Sequence, residues 1–236
     1  MRLRHLYTSL AVASIASVAG AAEFTGFGID AELQFKATGG DSIQRSAGYG
    51  TSVFSSSSFG GEHAVAGAVG INYGLQVAPR WIVQLGIKAD VTDNEAFSSS
   101  STASTSYSTA HSWTKIDEKR HYSLYVQPGY LIHAGTMIYG KLSYHHMHVD
   151  GSNGVNAVVG GDRTSVGYPI GSNFKGFGVG FGLQALFSKN MYGYAEINHV
   201  RYGQQSIGVP ADPGYIGSWD LKPRTTSGSL GIGWRF

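Results

Sequence analysis

Three histidines in the second half of the chain are among the residues best suited to chemistry. His145, His146 and His148 end an alternating apolar segment, and His146 and His148 share one face if that segment is a strand. Two imidazoles at this spacing can share a metal ion, with the carboxylate of Asp150 nearby. The spacing matches no structural zinc pattern, so we predict no metal site and expect the imidazoles to face polar surroundings at the end of a strand.

Eight charged side chains form a second group of interest. They fall on the polar face of alternating segments, which predicts that they share one interior: Asp30, Glu32, Lys36, Lys88, Asp90, Lys141, Glu196 and Arg235. Because an unpaired charge is costly in a confined space, the four acids and four bases predict a plug of paired charges. The alternative is a gate, in which Glu196 and Lys141 change partners and open a narrow path for solutes.

The elements that position these residues are the strands of one all-β domain. The chain of 236 residues has 34 Gly and no Cys, with 14% charged and 12% aromatic residues and a mean hydropathy of -0.09. A disordered chain needs high net charge, a disulfide scaffold needs cysteines, and a helical membrane protein needs long apolar runs. The composition excludes these three classes, and the missing Gly-X-Y repeat excludes collagen.

The first 22 residues have the pattern of a secretory signal peptide. Arg2 and Arg4 precede an apolar stretch over residues 6–18, and small residues follow at 19–22. We therefore predict cleavage of residues 1–22 and a mature domain over residues 23–236; the alternative is an uncleaved anchor. Without the two arginines the 17 basic residues fall to 15, equal to the 15 acidic ones, so no nucleic-acid partner is predicted.

The remaining chain alternates between faces with a period of two, as strands do. Alternating runs cover residues 27–35, 65–77 and 81–91, and others begin near residues 119, 137, 174, 191 and 225. Short links near residues 79, 135 and 189 alternate with long polar links near 38–61, 93–117, 149–173 and 203–224. This layout predicts a closed antiparallel eight-stranded transmembrane up-and-down β-barrel, with short periplasmic turns and four long extracellular loops.

A soluble barrel with its apolar face inward is the rival interpretation. The polar face is unusually small, with Gly at positions 176, 178, 180 and 182, which suits a narrow interior better than a solvated surface. Aromatic residues stand at the predicted periplasmic strand ends, as an interfacial girdle requires: Phe24, Trp81, Tyr130, Phe187, Trp234 and Phe236. These features favour a barrel in a membrane, with the three histidines at the level of the lipid headgroups.

The C-terminal sequence GSLGIGWRF resembles the closing strand of Gram-negative outer-membrane barrels. In that pattern the terminal aromatic residue, here Phe236 with Trp234 on the same face, is read by the barrel-insertion machinery. The stretches YSLYVQPGYLI, MIYGKLSYHH and MYGYAEINHVRYG resemble the fourth, fifth and seventh strands of the small eight-stranded superfamily that includes the opacity proteins and the barrel half of outer-membrane protein A. The resemblance implies export to the outer membrane and contact with its lipid and lipopolysaccharide.

The function predicted from these features is non-enzymatic. A structural and cell-surface contact or adhesion role through the loops, with a host or cell-surface ligand, is the first interpretation. A narrow porin-like channel for small solutes is the alternative. A lipid A-modifying enzyme needs a serine activated by a histidine; the deacylases carry a His-x-Ser-Asn step, whereas here His148 precedes Ser152 by four residues. We therefore predict no catalytic residue and no cofactor.

Overall fold

Antiparallel β-strands make up almost all of the part of the chain that the computed structural model describes, which is residues 24–48, 51–104, 108–159, 162–210 and 215–236. In chain order the strands are β1 (Gly26–Gly48), β2 (Thr51–Ala78), β3 (Trp81–Asp90), β4 (Asn94–Ser104), β5 (Ser108–His133), β6 (Thr136–Val159), β7 (Asp162–Leu186), β8 (Met191–Tyr202), β9 (Gln205–Pro210) and β10 (Tyr215–Arg235). No helix of these ranges is long and apolar enough to span a membrane. The predicted signal peptide lies outside the described residues.

Eight of the strands close into a ring, which confirms the predicted barrel. Neighbours pair in the order β1, β2, β3, β5, β6, β7, β8 and β10, and β10 pairs back onto β1. The closing register runs from the pair Gly28 and Arg235 to the pair Gly48 and Tyr215. Within the closed ring each strand pairs with a neighbour on both sides, which satisfies the backbone N–H and C=O groups in a medium without hydrogen-bonding groups.

The two ends of the barrel differ. At one end, which we call the turn end, β2 and β3 are joined through Pro79 and Arg80, and β5 and β6 through Ala134 and Gly135, whose φ is 77°. At the opposite end, the hairpin end, β1 and β2 pair as far as Gly48 and Thr51. The long polar links predicted as loops are therefore largely strand, and that prediction was wrong in its secondary structure.

The error has a physical reason. The links are rich in Ser and Thr, a composition that predicts solvation, but solvated residues still pair through the backbone when their side chains alternate across a hairpin. The pairing of β6 with β7 continues to Val159 and Asp162. Strands β4 and β9 prolong β3 and β8 after short interruptions, and they pair with β5 and β10 respectively.

The outer wall is apolar and the inner wall is polar or small, as the alternation predicts. Phe177, Ile197 and Leu85 are 75%, 67% and 48% exposed on the outside. At the turn end Trp81, Phe187, Trp234 and Phe236 are exposed as well. Phe24 is 0% exposed, so its assignment to the girdle was wrong. It precedes β1, outside the alternation, and its ring packs inside the barrel with apolar side chains of the turn end.

Glycine on the inner wall makes room for tyrosine. Four inward glycines stand directly across from a lumen tyrosine of the neighbouring strand: Gly86 with Tyr125, Gly182 with Tyr139, Gly231 with Tyr194 and Gly233 with Tyr192. A Cβ atom at any of the four would overlap the ring that lies over it. The high glycine content thus serves the packing of the interior.

Candidate functional site

The interior of the barrel is divided into three layers. Apolar side chains fill the turn end: Phe24, Ile82, Leu131, Met137, Tyr139, Leu186 and Tyr192. A second apolar cluster, here called the upper cluster, lies toward the hairpin end: Ile116, Met147, Val149, Ile170, Phe174, Val200, Tyr202 and Leu221. The charged side chains occupy the middle. Because low-polarity layers bound them on both sides, their charges are weakly screened by water.

The structure places all eight predicted charged side chains inside the barrel. Seven residues are at most 8% exposed, and the side chain of the eighth, Asp90, is 5% exposed. Seven of them join ion pairs, in three groups centred on Lys88, Lys141 and Lys36. Arg235 stands apart.

The Lys88 group lies on β1 and β3. Its ammonium nitrogen is 2.6 Å from Oε2 of Glu32 and 3.8 Å from Oδ1 of Asp30. The hydroxyl of Tyr194 lies 2.7 Å from Glu32 and 3.0 Å from Asp30, and its single proton is donated to Glu32, the nearer of the two. The amide of Asn72 donates to Asp30 at 2.8 Å. Each carboxylate is thereby hydrogen-bonded as well as ion-paired, which buried charges require.

The Lys141 group joins β6 and β8. Nζ of Lys141 is 2.8 Å from Oε1 of Glu196, and the hydroxyl of Tyr139 donates to Oε2 of the same carboxylate at 3.2 Å. The lysine also lies 4.5 Å from the ring centroid of Tyr125. These are the two residues of the predicted gate, and in the structure each is the ion-pair partner of the other.

The Lys36 group is the one nearest the hairpin end. Its ammonium contacts Asp90 and lies 3.0 Å from Oε1 of Glu118. Nδ1 of His121 is 2.9 Å from Oδ2 of Asp90 and 3.4 Å from Glu118. Because carboxylates only accept hydrogen bonds, Nδ1 of His121 is the donor here.

A histidine pair continues this group. Nε2 of His121 lies 2.9 Å from Nδ1 of His145, the rings stack with centroids 5.1 Å apart, and Nε2 of His145 is 2.8 Å from the hydroxyl of Ser143. His145 is 4% exposed. Its predicted place at the headgroup level was therefore wrong. The alternation that puts Lys141 inside also puts His145 inside, so extending that pattern by four residues would have found it.

Arg235 does not join the charge pairs. Its guanidinium donates to the backbone carbonyl of Gly26 at 3.0 Å and lies 5.2 Å from the ring centroid of Tyr192. Within the described ranges no carboxylate is its ion-pair partner, so the prediction that four acids meet four bases was wrong for this residue. Arg235 instead ties the last strand to the start of β1.

Glu118 is an acid of the Lys36 group that the sequence interpretation missed. Its position does not fit the alternation of β5, on which Ser123 and Tyr125 point inward. The register shifts between Glu118 and Arg120, which is the mark of a β-bulge, and the faces exchange across it. A period-two pattern cannot be carried through a bulge, and no local residue signals this one.

Among the described residues, one cluster of three His, Asp or Glu side chains has ligand atoms close enough together to share a metal ion. Asp90, Glu118 and His121 have ligand atoms within 4.8 Å of one another. The ammonium group of Lys36 contacts both of these carboxylates and offsets their charge in place of a metal ion. Elsewhere, His148 is engaged through Nδ1 by Asn173 at 2.9 Å and through Nε2 by Asp150 at 3.3 Å.

Little free volume remains around the charges. A cavity of about 10 Å³ lies near the Lys88 and Lys141 groups, and one of about 30 Å³ lies near the Lys36 group. The first has room for about one water molecule. Gln84 and Gln184 line this cavity, and among the described residues their side-chain amide nitrogens have no hydrogen-bond partner. The described interior is thus packed rather than open.

The chain matches a known protein family over most of its length. The model of the family "Outer membrane protein beta-barrel domain" matches residues 8–236. The chain belongs to this family. It is therefore an outer-membrane β-barrel of the Gram-negative type, and the resemblance noted from its last strand is confirmed. No curated protein matches the chain by sequence.

Three solved outer-membrane proteins are among the structures with a similar layout. The outer membrane protein OprG from Pseudomonas aeruginosa is 12% identical, with 90% of this chain and 96% of that chain covered and a TM-score of 0.46. Ail, the attachment invasion locus protein of Yersinia pestis, solved with the heparin analogue sucrose octasulfate, is 15% identical, with 87% and 99% covered and a TM-score of 0.34. The outer membrane protease OmpT from Escherichia coli is 10% identical, with 89% and 97% covered and a TM-score of 0.34. At such identities and TM-scores these likenesses carry no argument about what the chain does.

Proposed function

We propose that this barrel is a closed membrane anchor that presents its hairpins outside the cell and acts there as a non-enzymatic structural and surface contact protein. In this proposal the turn end faces the periplasm and the hairpin end faces outward, as short turns and long extensions are arranged in bacterial barrels. The observation that carries it is the contrast between a packed interior and long paired extensions.

The packed interior argues against a transport role. Three ion-paired groups fill the middle of the lumen, and the upper cluster, with Met147 and Phe174 at 2% and 1% exposure, covers them toward the hairpin end. A solute would have to separate buried ion pairs and displace an apolar layer. Both steps cost free energy, since leaving one buried charge without its partner destabilises the protein by about 3 to 5 kcal/mol.

The extensions supply the contact surface. Beyond Asp150, strand β6 runs for a further nine residues to Val159, which is about 30 Å of extended chain. Its pairing with β7 holds throughout, so the extension is a hairpin on a rigid base. Such elements are where binding is usually found on a scaffold.

No catalytic role is part of the proposal. His148, the histidine nearest to Ser152 in sequence, has its two ring nitrogens directed at Asn173 and Asp150 rather than at the serine. A general base that activates a serine must reach its hydroxyl within hydrogen-bonding distance.

A channel for small solutes is the second candidate. The observation that favours it is the cavity of about 30 Å³, which is lined by charged and polar side chains of the Lys36 group. Re-pairing of Lys141 and Glu196 would join it to the smaller cavity beneath.

The contact role is tested by shortening one hairpin. Replacing residues 153–168 with Asn-Gly keeps the pair Ser152 and Pro169 and the buried Ile170 while removing the rest of the extension. We expect the shortened protein to fold and to show heat-modifiable migration on gels, while cells that display it lose aggregation and retention on immobilised glycans. A control that scrambles residues 153–168 within the hairpin separates sequence from length. Unchanged aggregation and retention in the shortened variant would contradict the proposal.

A further inference from the structure

Four cationic side chains gather on the outer wall at the hairpin end. They are Lys175 on β7, Arg201 on β8, and Lys222 and Arg224 on β10, and we call them the basic tetrad. All four are exposed and lie on the outward face of their strands. Strand β8 lies between β7 and β10 in the sheet, so the four occupy three adjacent strands.

The backbone register brings the tetrad together. Arg201 is the direct cross-strand partner of Arg224. On the other side of β8, the amide of Gly203 donates to the carbonyl of Lys175 at 2.8 Å. Gly203 has no side chain and stands two residues beyond Arg201, while Lys222 stands two residues beyond Arg224. The four cations therefore surround a patch of wall without a side chain.

In the part of the chain that the structure describes, these cations have no ion-pair partner. Within the described residues none of the four takes part in an ion pair, whereas other exposed lysines at this end do: Lys119 is 3.2 Å from Asp93 and Lys115 is 3.7 Å from Asp117. The nearest acid in register is Asp41, across from Lys222, and the two form no ion pair. Like charges directly opposite each other destabilise a sheet, as Arg201 and Arg224 do here.

The position of the tetrad indicates what compensates for this repulsion. Arg201 is also the cross-strand partner of Phe177, which is 75% exposed. Further along the same strands lie Ile197 and Leu230, which are 67% and 60% exposed. The tetrad thus borders the apolar band, at the level where lipid headgroups meet the barrel, rather than at a hairpin tip where a soluble partner would bind.

We infer that the basic tetrad binds the phosphate groups of a phosphorylated glycolipid, lipid A, while the apolar residues beneath it contact the acyl chains. Two neighbouring guanidinium groups suit phosphate because each can donate two parallel hydrogen bonds. The inference rests on the proposed orientation, in which the hairpin end lies in the outer leaflet.

The test uses the full mature protein in detergent with diphosphoryl lipid A as the probe. The variant Arg201→Gln with Arg224→Gln should weaken binding at least about tenfold, as loss of two charge-assisted contacts implies. The control Arg80→Gln with Lys189→Gln removes the same charge from exposed positions at the turn end and should leave affinity unchanged. Equal affinity of the tetrad variant and the unmodified protein would overturn the inference.

A second readout separates binding from folding. Because Arg201 and Arg224 repel each other, the tetrad variant should melt at the same or a higher temperature than the unmodified protein in lipid-free detergent. At the same concentration, lipid A should raise the melting temperature of the unmodified protein more than that of the variant, which binds it more weakly. Fully dephosphorylated lipid A should bind the two proteins equally, and inorganic phosphate should not compete at millimolar concentration. Competition by phosphate alone, or tighter tetrad-dependent binding of heparin, would overturn the lipid assignment. The hairpin-shortened protein should keep its lipid A binding, so this result is independent of the contact role.

Discussion

The ion pair between Lys141 and Glu196 gives a prediction that can be worked out from the structure. Their charged atoms are 2.8 Å apart and their side chains are each 4% exposed. At an effective dielectric constant of about 20 the attraction is about 6 kcal/mol, which the loss of hydration opposes. Removing one partner, by Lys141→Met, leaves the carboxylate buried with only the hydroxyl of Tyr139, and should cost about 3 to 5 kcal/mol.

The double variant should cost less than the sum of its parts. With Glu196→Gln and Lys141→Met together no buried charge of the pair remains, so the coupling free energy should be about 1 to 3 kcal/mol in favour of the intact pair. Urea unfolding in micelles, followed by tryptophan fluorescence, measures the free energy of unfolding of the unmodified protein, the two single variants and the double variant. The exposed pair of Lys119 and Asp93 is the control and should show much weaker coupling. Additive single costs at Lys141 and Glu196 would refute the reasoning.

Three further predictions concern the wall and its closure. Leu85→Arg, in the middle of β3, should destabilise the folded barrel in lipid vesicles by about 2 to 4 kcal/mol. Val91→Arg, near the edge of the apolar band, should cost about 0 to 1 kcal/mol. Equal costs for the two variants would contradict the assignment of Leu85 to the middle of the bilayer and of Val91 to its edge. Gly231→Ala pushes a methyl group into a tyrosine ring and should cost about 1 to 3 kcal/mol, while Gly228→Ala meets nothing within 4 Å and should be nearly neutral in the same unfolding assay. The amide of Phe236 donates to the carbonyl of Phe27 on β1 at 2.8 Å. Deleting Phe236 should therefore lower the yield of heat-modifiable protein in the outer membrane. An unchanged yield would argue against a role of Phe236 in assembly.

The barrel was predictable because its side chains alternate between the lipid-facing and the inward-facing side with a period of two residues. A strand in a membrane must alternate, and the alternation over residues 81–91 places Leu85 outside and Lys88 inside without any tertiary information. The turn positions follow from where the alternation breaks. The hairpins were not predicted, since a polar composition does not distinguish a solvated loop from a solvated strand.

The site was only partly predictable, for reasons that differ between residues. The rule that polar residues face inward finds Lys36 and Asp90 but not the upper cluster, where Met147 and Phe174 are apolar and inward. Glu118 lies beyond a bulge, which no period-two pattern crosses. The partner of each charge depends on strand register and shear, and these become fixed only when the ring closes.

The central claim is that the barrel is closed and acts through its hairpins, and ion conductance in planar bilayers tests it most directly. The interior holds three ion-paired groups beneath an apolar layer, with cavities of about 10 and 30 Å³. We predict that the unmodified protein, inserted and verified by heat-modifiable migration, shows no steady conductance, and that Lys141→Met shows brief openings at most. Steady conductance of the unmodified protein would contradict the account and favour the channel.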